Sequence, residues 1–130
     1  MAPLLNAGEV LRLNAHLFPD KTGARDLERS MTFSLWNQRA CRLANAFTGL
    51  GLVKGDRVAV LAYNCVEWAE IYAATAKAGL IAVPINFRLL GAEIRYAVEN
   101  CEASVLIVQD ELRGAAEDAT LSIRTIHFGK

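Results

Sequence analysis

The sequence has no net charge and no long apolar run. Its 14 Lys and Arg residues balance its 14 Asp and Glu residues, so its charge favours neither nucleic acid nor an anionic lipid surface as a partner. The longest uncharged apolar stretch, Ala78 to Phe87, is shorter than the roughly 20 residues of a membrane-spanning helix, and Pro84 interrupts it. We therefore expect no nucleic-acid partner and no transmembrane segment.

Export signals and paired cysteines are absent too. No basic segment precedes the apolar residues near the N-terminus, and Glu9 comes early, which is atypical of a secretion signal. The three cysteines, Cys41, Cys65 and Cys101, are odd in number, widely spaced and without a C-x-x-C pair. We interpret them as reduced core thiols of a cytoplasmic protein, and we predict no metal site.

The 130 residues are enough for one domain with a real core, and 53% of them are hydrophobic. This apolar content suits buried parallel strands, or a face that meets more protein. We predict a single unit over 1–130, in which 1–31 form a helix and a connection and 32–128 form the sheet region. An exposed apolar surface and a net charge of +0 also favour self-association, so we expect a homodimer.

The first third of the chain predicts helices around a polar connection. Asn6 can cap a helix that runs to about Phe18, where Pro19 ends it. A short hairpin is predicted around Ala24 to Thr32, and Thr32 is a candidate cap for the next helix. In that helix apolar residues recur at alternating steps of four and three, which predicts one buried face. They are Trp36, Ala40, Leu43, Phe47 and Leu50.

Strand and helix signals then alternate. A strand over Arg57 to Ala62 is apolar enough to be covered on both faces. Asn64 is a candidate cap for a helix that ends at Gly79, and a second strand, Leu80 to Val83, is expected to end at Pro84. The remaining segments predict a helix, a strand, a short helix and a last strand. They cover about Gly91 to Asn100, Ser104 to Val108, Leu112 to Ala119 and Leu121 to Phe128. This order indicates an α/β fold, with a parallel βαβ-type sheet flanked by helices.

Ligands of such sheets gather where the strands end, so three loops are candidates: Tyr63 to Cys65, Ile85 to Leu90, and Gln109 to Leu112. The middle loop carries Asn86 and Arg88, an amide and a positively charged fork that suits phosphate. The alternative interpretation is a solvated arginine beside an asparagine that shapes a turn.

Other residue patterns favour structural roles. Gly49, Gly51 and Gly55 lie between a helix and a strand, whereas a phosphate-binding glycine loop follows a strand and opens a helix. Glu67 and Glu70 are interpreted as surface or helix-terminal charges rather than an acid/base pair. His16 and His127 have no neighbouring nucleophile or metal-ligand motif, and structural roles are expected for both.

Taken together, the sequence from about Pro19 to Val108 resembles the N-terminal region of acyl-CoA synthetases and related adenylate-forming ligases. The segments that carry the resemblance are Gly49-Leu50-Gly51, Lys54-Gly55-Asp56-Arg57-Val58-Ala59, Asn64 with Glu67-Trp68, Lys77-Ala78-Gly79, Val83-Pro84-Ile85-Asn86, Arg88-Leu89, Glu93-Ile94 and Ser104-Val105-Leu106-Ile107. Each piece is common, but the ordered series is specific. It implies an N-terminal piece of the acetyl-CoA synthetase-like fold.

The resemblance also implies a reaction for a full-length parent. Members of this family activate a carboxylic acid, such as a fatty or aromatic acid, with ATP and Mg²⁺ to an acyl-adenylate, and then transfer the acyl group to coenzyme A. In some relatives the Asn-x-Arg-Leu segment lies near the coenzyme A phosphates, which implies a cofactor-binding role for Arg88 and Asn86 here.

The family's Ser/Thr/Gly-rich phosphate loop, Thr/Glu motif, ribose-binding Asp and catalytic Lys have no counterpart in this chain. We therefore expect no catalytic residue in it, no tight binding of ATP, Mg²⁺ or coenzyme A, and no activity from the chain alone. The carboxylic acid would bind through other segments of the parent. Two alternatives from another class are a stand-alone flavodoxin-like module and a non-catalytic, ligase-derived binding module.

Overall fold

The computed structural model describes residues 5–129. These residues form two compact units. The first contains the chain up to Lys54 together with Asn64–Leu80, and the second contains Gly55–Tyr63 together with the chain from Ile81 onward. Each unit is described separately below. No helix among residues 5–129 is long and apolar enough to cross a membrane.

The first unit is helical, with one small hairpin. Its elements are α1 (Ala7–Leu17), β1 (Thr22–Arg25), β2 (Ser30–Thr32), α2 (Phe33–Gly49) and α3 (Glu67–Ala78), and β1 pairs with β2 in antiparallel orientation. The predicted helix caps are confirmed: Asn6 Oδ1 accepts the Glu9 amide proton at 3.0 Å, and Thr32 Oγ1 accepts that of Leu35 at 3.2 Å. These side chains satisfy amide groups that have no partner within the helix.

Three buried residues, Leu11, Ala40 and Ala73, bring the three helices of this unit together. Phe33 and Trp36 pack against them, with ring centroids 6.2 Å apart. The indole N–H of Trp36 donates a 2.8 Å hydrogen bond to the Ala69 carbonyl of α3. The helical periodicity therefore identified the buried face of α2, although Leu50 at its end is 36% exposed.

The expectation that Asn64 caps α3 is wrong. The helix begins at Glu67, its N-terminal flanking residue Val66 makes no side-chain cap, and the cap comes from the hairpin instead. Asp26 Oδ2 accepts the amide proton of Val66 at 2.9 Å. A carboxylate 40 residues away in sequence thus supplies both the acceptor and the negative charge that a helix N-terminus favours.

The second unit contains a four-stranded sheet in the order β4-β3-β5-β6, with every neighbouring pair parallel. Its elements are β3 (Arg57–Leu61), β4 (Ile81–Ile85), α4 (Gly91–Asn100), β5 (Ala103–Gln109), a 3₁₀ turn (Asp110–Leu112), α5 (Arg113–Asp118) and β6 (Arg124–Phe128). The predicted α/β class and the parallel βαβ sheet flanked by helices are confirmed.

The central strand β3 is buried on both faces, as its composition predicts. Four consecutive residues are 0% exposed: Val58, Ala59, Val60 and Leu61. Because alternate side chains of a strand point to opposite faces, both faces of β3 are covered. On one face Ala59 and Leu61 join a core with α4 and α5, to which those helices contribute residues such as Ile94 and Ala116.

Two strand boundaries differ from the predictions by more than one residue. β4 continues through Pro84 to Ile85, whereas we expected Pro84 to end it. Within residues 5–129, β4 pairs only with β3 and is an edge strand, where a missing amide proton is tolerated. β6 begins at Arg124 rather than Leu121, because pairing with β5 starts there.

Candidate functional site at the carboxyl edge of the sheet

The direction in which successive strands are added to the sheet reverses between β3 and β5. From β3 the chain crosses to β4 on one side, then passes back to β5 and β6 on the other. In open α/β sheets the loops leaving two such strands diverge and leave a crevice at their carboxyl ends, where ligands bind. The two residues that matter there are Tyr63, after β3, and Gln109, at the end of β5.

The Gln109 side chain bridges the ends of β3 and β5. The residue is only 6% exposed, and its Oε1 accepts the backbone amide proton of Tyr63 at 2.8 Å. A buried amide needs such partners, because an unmade hydrogen bond in the interior costs on the order of 1–3 kcal/mol. Gln109 therefore joins the ends of the two strands that flank the reversal point.

The β4 loop carries the two residues predicted to bind a ligand. Asn86 Oδ1 accepts the amide proton of Arg88 at 3.0 Å, and the Asn86 carbonyl accepts that of Leu89 at 3.1 Å. These bonds form a side-chain-stabilised turn, so Asn86 fixes the backbone from which Arg88 projects. Both residues are exposed.

Arg88 lies over an aromatic ring rather than beside a carboxylate. Its Cζ is 5.2 Å from the centroid of Phe87, and Phe87 meets Tyr63 edge to face at 4.9 Å between centroids. No carboxylate within residues 5–129 forms an ion pair with Arg88. A cation–π contact of this kind can hold a guanidinium and still leave N–H donors for an anion.

A second polar group lies beyond β5 and β6. Asp110 Oδ1 accepts a 2.9 Å hydrogen bond from Arg113 and lies 4.0 Å from His127 Nδ1. The arginine follows the aspartate by three residues, which is the spacing of a local helical ion pair. His127 thus has a carboxylate neighbour.

The carboxylates of α3 are helix-terminal charges held by arginines, as the sequence suggested. Glu67 forms a two-pronged pair with Arg29 at 2.7 and 2.9 Å, and Glu70 pairs with Arg39 at 2.7 Å. Burial is the largest single effect and opposes the charge of Glu67, but the hydrogen bond and charge of Arg29, together with hydrogen bonds from the Glu67 amide and the Cys65 thiol, lower the pKa of Glu67. Both acids are thereby committed to ion pairs within the first unit.

Asp26 completes this network. Its carboxylate accepts the backbone amide protons of Glu28 at 2.9 Å, Arg29 at 2.6 Å and Val66 at 2.9 Å. The bonds from Glu28 and Arg29 are the main cause that lowers the pKa of Asp26 to about 2. These donors favour the ionised acid.

The cysteines are free and half-buried. Burial, followed by the hydrogen bond and charge of Glu67, raises the pKa of the Cys65 thiol to about 11. A thiol with so little thiolate at neutral pH is a poor nucleophile and a poor metal ligand. In the part of the chain that the structure describes, no three His, Cys, Asp or Glu side chains are placed to hold a metal ion.

The carboxyl edge can therefore offer an anion one exposed guanidinium on a fixed turn, beside an aromatic pair. The sequence selects this loop but gives no role to Gln109. The signal for Gln109 is an amide at the end of an apolar strand, in another of the three candidate loops.

The described fold matches known ligases. Residues 11–127 match the family model described as AMP-binding enzyme. Crotonobetaine/carnitine–CoA ligase of Salmonella paratyphi A is 38% identical over 98 residues, which are 72% of this chain and 19% of that protein. The chain thus spans about a fifth of the length of this curated relative.

Solved structures of CoA ligases share the fold. An anthranilate CoA ligase in complex with anthranoyl-AMP superposes with a TM-score of 0.88 at 32% identity, over 98% of this chain and 26% of that one. A fatty acyl CoA synthetase of Mycobacterium tuberculosis gives a TM-score of 0.83 at 31% identity, over 96% and 26%. The resemblance to acyl-CoA synthetases is confirmed, and the chain belongs to the AMP-binding enzyme family of adenylate-forming ligases.

Proposed function

We propose that this chain is an N-terminal part of an AMP-forming acid–thiol ligase that acts on a fatty or aromatic carboxylic acid. The observation that carries the proposal is the match of almost the whole chain to a CoA ligase, with a TM-score of 0.88 at 32% identity. The named relatives act on anthranilate, a fatty acyl group and crotonobetaine or carnitine, which supports an acid substrate without choosing among these classes.

In the proposed reaction a carboxylate attacks the α-phosphate of ATP, giving an acyl-adenylate and pyrophosphate. The thiol of coenzyme A then displaces AMP. The negative charge of the phosphates must be neutralised by cations and N–H donors. We assign the binding of ATP, Mg²⁺ and the acid to segments of the parent outside this chain, because the family's phosphate loop and catalytic Lys have no counterpart in it.

For this chain we propose one role toward a cofactor: Arg88 contacts the phosphates of coenzyme A, and Asn86 positions it. The exposed guanidinium, its lack of an ion pair within residues 5–129 and the turn made by Asn86 support the assignment. The same exposure implies that the chain alone binds coenzyme A weakly, since a single charged contact in water contributes little.

The domain assignment and the location remain proposals. We propose one N-terminal subdomain over 1–130, with 1–31 as helix and connection and 32–128 as the sheet region, located in the cytoplasm. Free half-buried thiols support a reducing compartment. We also propose that the chain forms a homodimer through exposed apolar surface. The match to ligases does not favour a stand-alone flavodoxin-like module.

The first experiment reads the genomic frame beyond the Lys130 codon and expresses the complete protein. We expect a Ser/Thr/Gly-rich loop ending in Lys, carboxylate-dependent exchange between ATP and pyrophosphate in the complete protein, and no exchange with the 130-residue chain. Exchange by the chain alone would show that it carries catalytic groups. A stop codon directly after Lys130 would overturn the ligase proposal and favour a non-catalytic binding module.

The second experiment tests Arg88 in the complete protein. Losing one partly solvated, charge-assisted contact of about 1–2 kcal/mol predicts that Arg88→Ala raises the KM for coenzyme A by about 5- to 30-fold. The KM for ATP should stay unchanged. Arg25→Ala removes another exposed arginine, in the β1 strand, and should alter neither constant. An unchanged KM for coenzyme A in an active Arg88→Ala enzyme would refute this site while leaving the family assignment intact.

A further inference from the structure

The loop after β3 lies in the middle of the carboxyl edge of the sheet. Strand β3 is placed between β4 and β5, so a residue that follows β3 has a neighbouring strand end on each side. Leu61, the last residue of β3, pairs with Ile85 of β4 and with Val108 of β5. Tyr63 follows Leu61 by two residues and can therefore contact both neighbouring strand ends.

The backbone of Tyr63 is held from the β5 side. Gln109 Oε1 accepts its amide proton at 2.8 Å, and the Gln109 residue is only 6% exposed. A side chain packed in the interior has few alternative rotamers, because its neighbours fill the space around it. The hydrogen bond therefore fixes where the Tyr63 backbone leaves the sheet, and with it the starting point of the Tyr63 side chain.

The ring of Tyr63 contacts the β4 side. It meets the ring of Phe87 at 4.9 Å between centroids, with 63° between the two planes. Aromatic rings favour this edge-to-face arrangement, which gives the pair a preferred orientation as well as a contact area. Phe87 also packs against the buried core of the second unit. The Phe87 ring is thus held by the core and by Tyr63 together.

This ring is the surface on which the Arg88 guanidinium rests. Arg88 Cζ lies 5.2 Å from the centroid of Phe87, and the turn made by Asn86 holds the Arg88 backbone. An arginine side chain has large rotamer freedom, and binding an anion must restrict it. A guanidinium that already lies over a fixed ring has lost part of that freedom before the anion arrives, which favours binding.

We propose that Tyr63 is a positioning residue for Arg88. Its ring keeps Phe87 in the orientation that receives the guanidinium, so that Arg88 is directed toward the phosphates of coenzyme A before the cofactor binds. The inference rests on the proposed coenzyme A role of Arg88. All of its contacts are made inside the second unit. None of them requires a surface to be free of other parts of the parent protein.

The size of the effect follows from the aromatic pair. Without the Tyr63 ring, Phe87 and the guanidinium above it adopt the productive orientation for a smaller fraction of the time, and the apparent affinity falls by the same factor. The strength of one edge-to-face pair corresponds to a factor of about 2 to 10. The loss should stay below that expected for Arg88→Ala, because the charge itself is retained.

The test uses the complete protein and compares three substitutions at Tyr63. Tyr63→Ala should raise the KM for coenzyme A by about 2- to 10-fold while the KM for ATP and the rate of ATP–pyrophosphate exchange stay unchanged. Tyr63→Leu keeps an apolar side chain without a ring and should behave like Tyr63→Ala. Tyr63→Phe is the matched control, because it keeps the ring and loses only the hydroxyl group, and it should behave like the wild type. Circular dichroism verifies that all three variants are folded.

A double variant distinguishes positioning from an independent contact. Tyr63→Ala combined with Arg88→Ala should raise the KM for coenzyme A no further than Arg88→Ala alone, because Tyr63 acts through the guanidinium. Multiplied effects of the two substitutions would overturn the inference, and so would a Tyr63→Ala variant whose KM for ATP rises equally. A normal KM for coenzyme A in Tyr63→Ala, with a raised one in Arg88→Ala, would overturn the role of Tyr63 and leave the coenzyme A site intact. A normal KM in Arg88→Ala would overturn the site and the positioning role together.

Discussion

A close contact between α4 and the end of α5 occurs at a glycine, Gly91, so replacing it with alanine should destabilise the second unit. A Cβ added at Gly91 would lie 2.7 Å from both the carbonyl carbon and the carbonyl oxygen of Asp118. These are backbone atoms and cannot rotate away. The neighbouring Ala119 carbonyl also accepts a 2.7 Å hydrogen bond from Arg95 Nε of α4, so separating the helices strains that bond as well.

The magnitude follows from two opposing effects. Overpacking of this kind costs about 1–3 kcal/mol, whereas replacing glycine restricts the unfolded chain and stabilises by about 0.4–1 kcal/mol. We expect Gly91→Ala to lower the free energy of unfolding by about 1–2 kcal/mol. For a chain of this length that corresponds to a Tm decrease of roughly 3–8 °C.

The matched control is Gly114→Ala in α5, where an added Cβ would meet nothing within 4 Å. Alanine in a helix is more favourable than glycine by about 0.5–1 kcal/mol, so this variant should be more stable than the wild type. The assay is urea unfolding followed by circular dichroism, with all variants at one protein concentration. Opposite signs for the two variants support the described approach of the helices. A Gly91→Ala variant at least as stable as the wild type would refute it.

Two further predictions concern side chains that accept backbone amide protons. Because the folded-state pKa of Asp26 is about 2, below the ordinary 3.8, ionised Asp26 stabilises the fold above about pH 4 and this contribution is lost as the pH falls toward 2. Between pH 5 and pH 2 the free energy of unfolding should fall less steeply with decreasing pH in Asp26→Asn than in the wild type. Equal slopes for the two proteins would contradict the hydrogen bonds assigned to Asp26. Gln109→Ala leaves the Tyr63 amide without its acceptor and should reduce the free energy of unfolding by about 1–2 kcal/mol. Gln38→Ala on the exposed side of α2 should change it by no more than about 0.5 kcal/mol, and an equally small effect at Gln109 would show that the bond across the crevice is unimportant.

Local sequence was a good guide to the elements and to their caps. Asn6 and Thr32 cap helices whose first turns lie directly after them, and the α4 helix begins and ends at the predicted residues. These features depend on residues three or four positions apart, which the sequence displays directly. The α3 cap was missed because its acceptor, Asp26, is supplied by a distant hairpin.

The candidate site was predicted only in part. The β4 loop with Asn86 and Arg88 could be selected because their chemistry and their position after an apolar strand are both visible in sequence. The role of Gln109 could not, because the amide it binds lies 46 residues away and becomes its neighbour only when β5 pairs beside β3. Strand order is a long-range property, and alternating helices and strands are compatible with several orders.

The sequence alone thus determined the α/β class, the succession of elements and the resemblance to adenylate-forming ligases, because periodicity, caps and an ordered series of short segments are local. The tertiary structure decided that successive strands are added on opposite sides of β3, that Asp26 rather than Asn64 caps α3, and that α1, α2 and α3 meet at Leu11, Ala40 and Ala73. These features arise from contacts between residues far apart in the chain, and local patterns do not encode which distant segments meet.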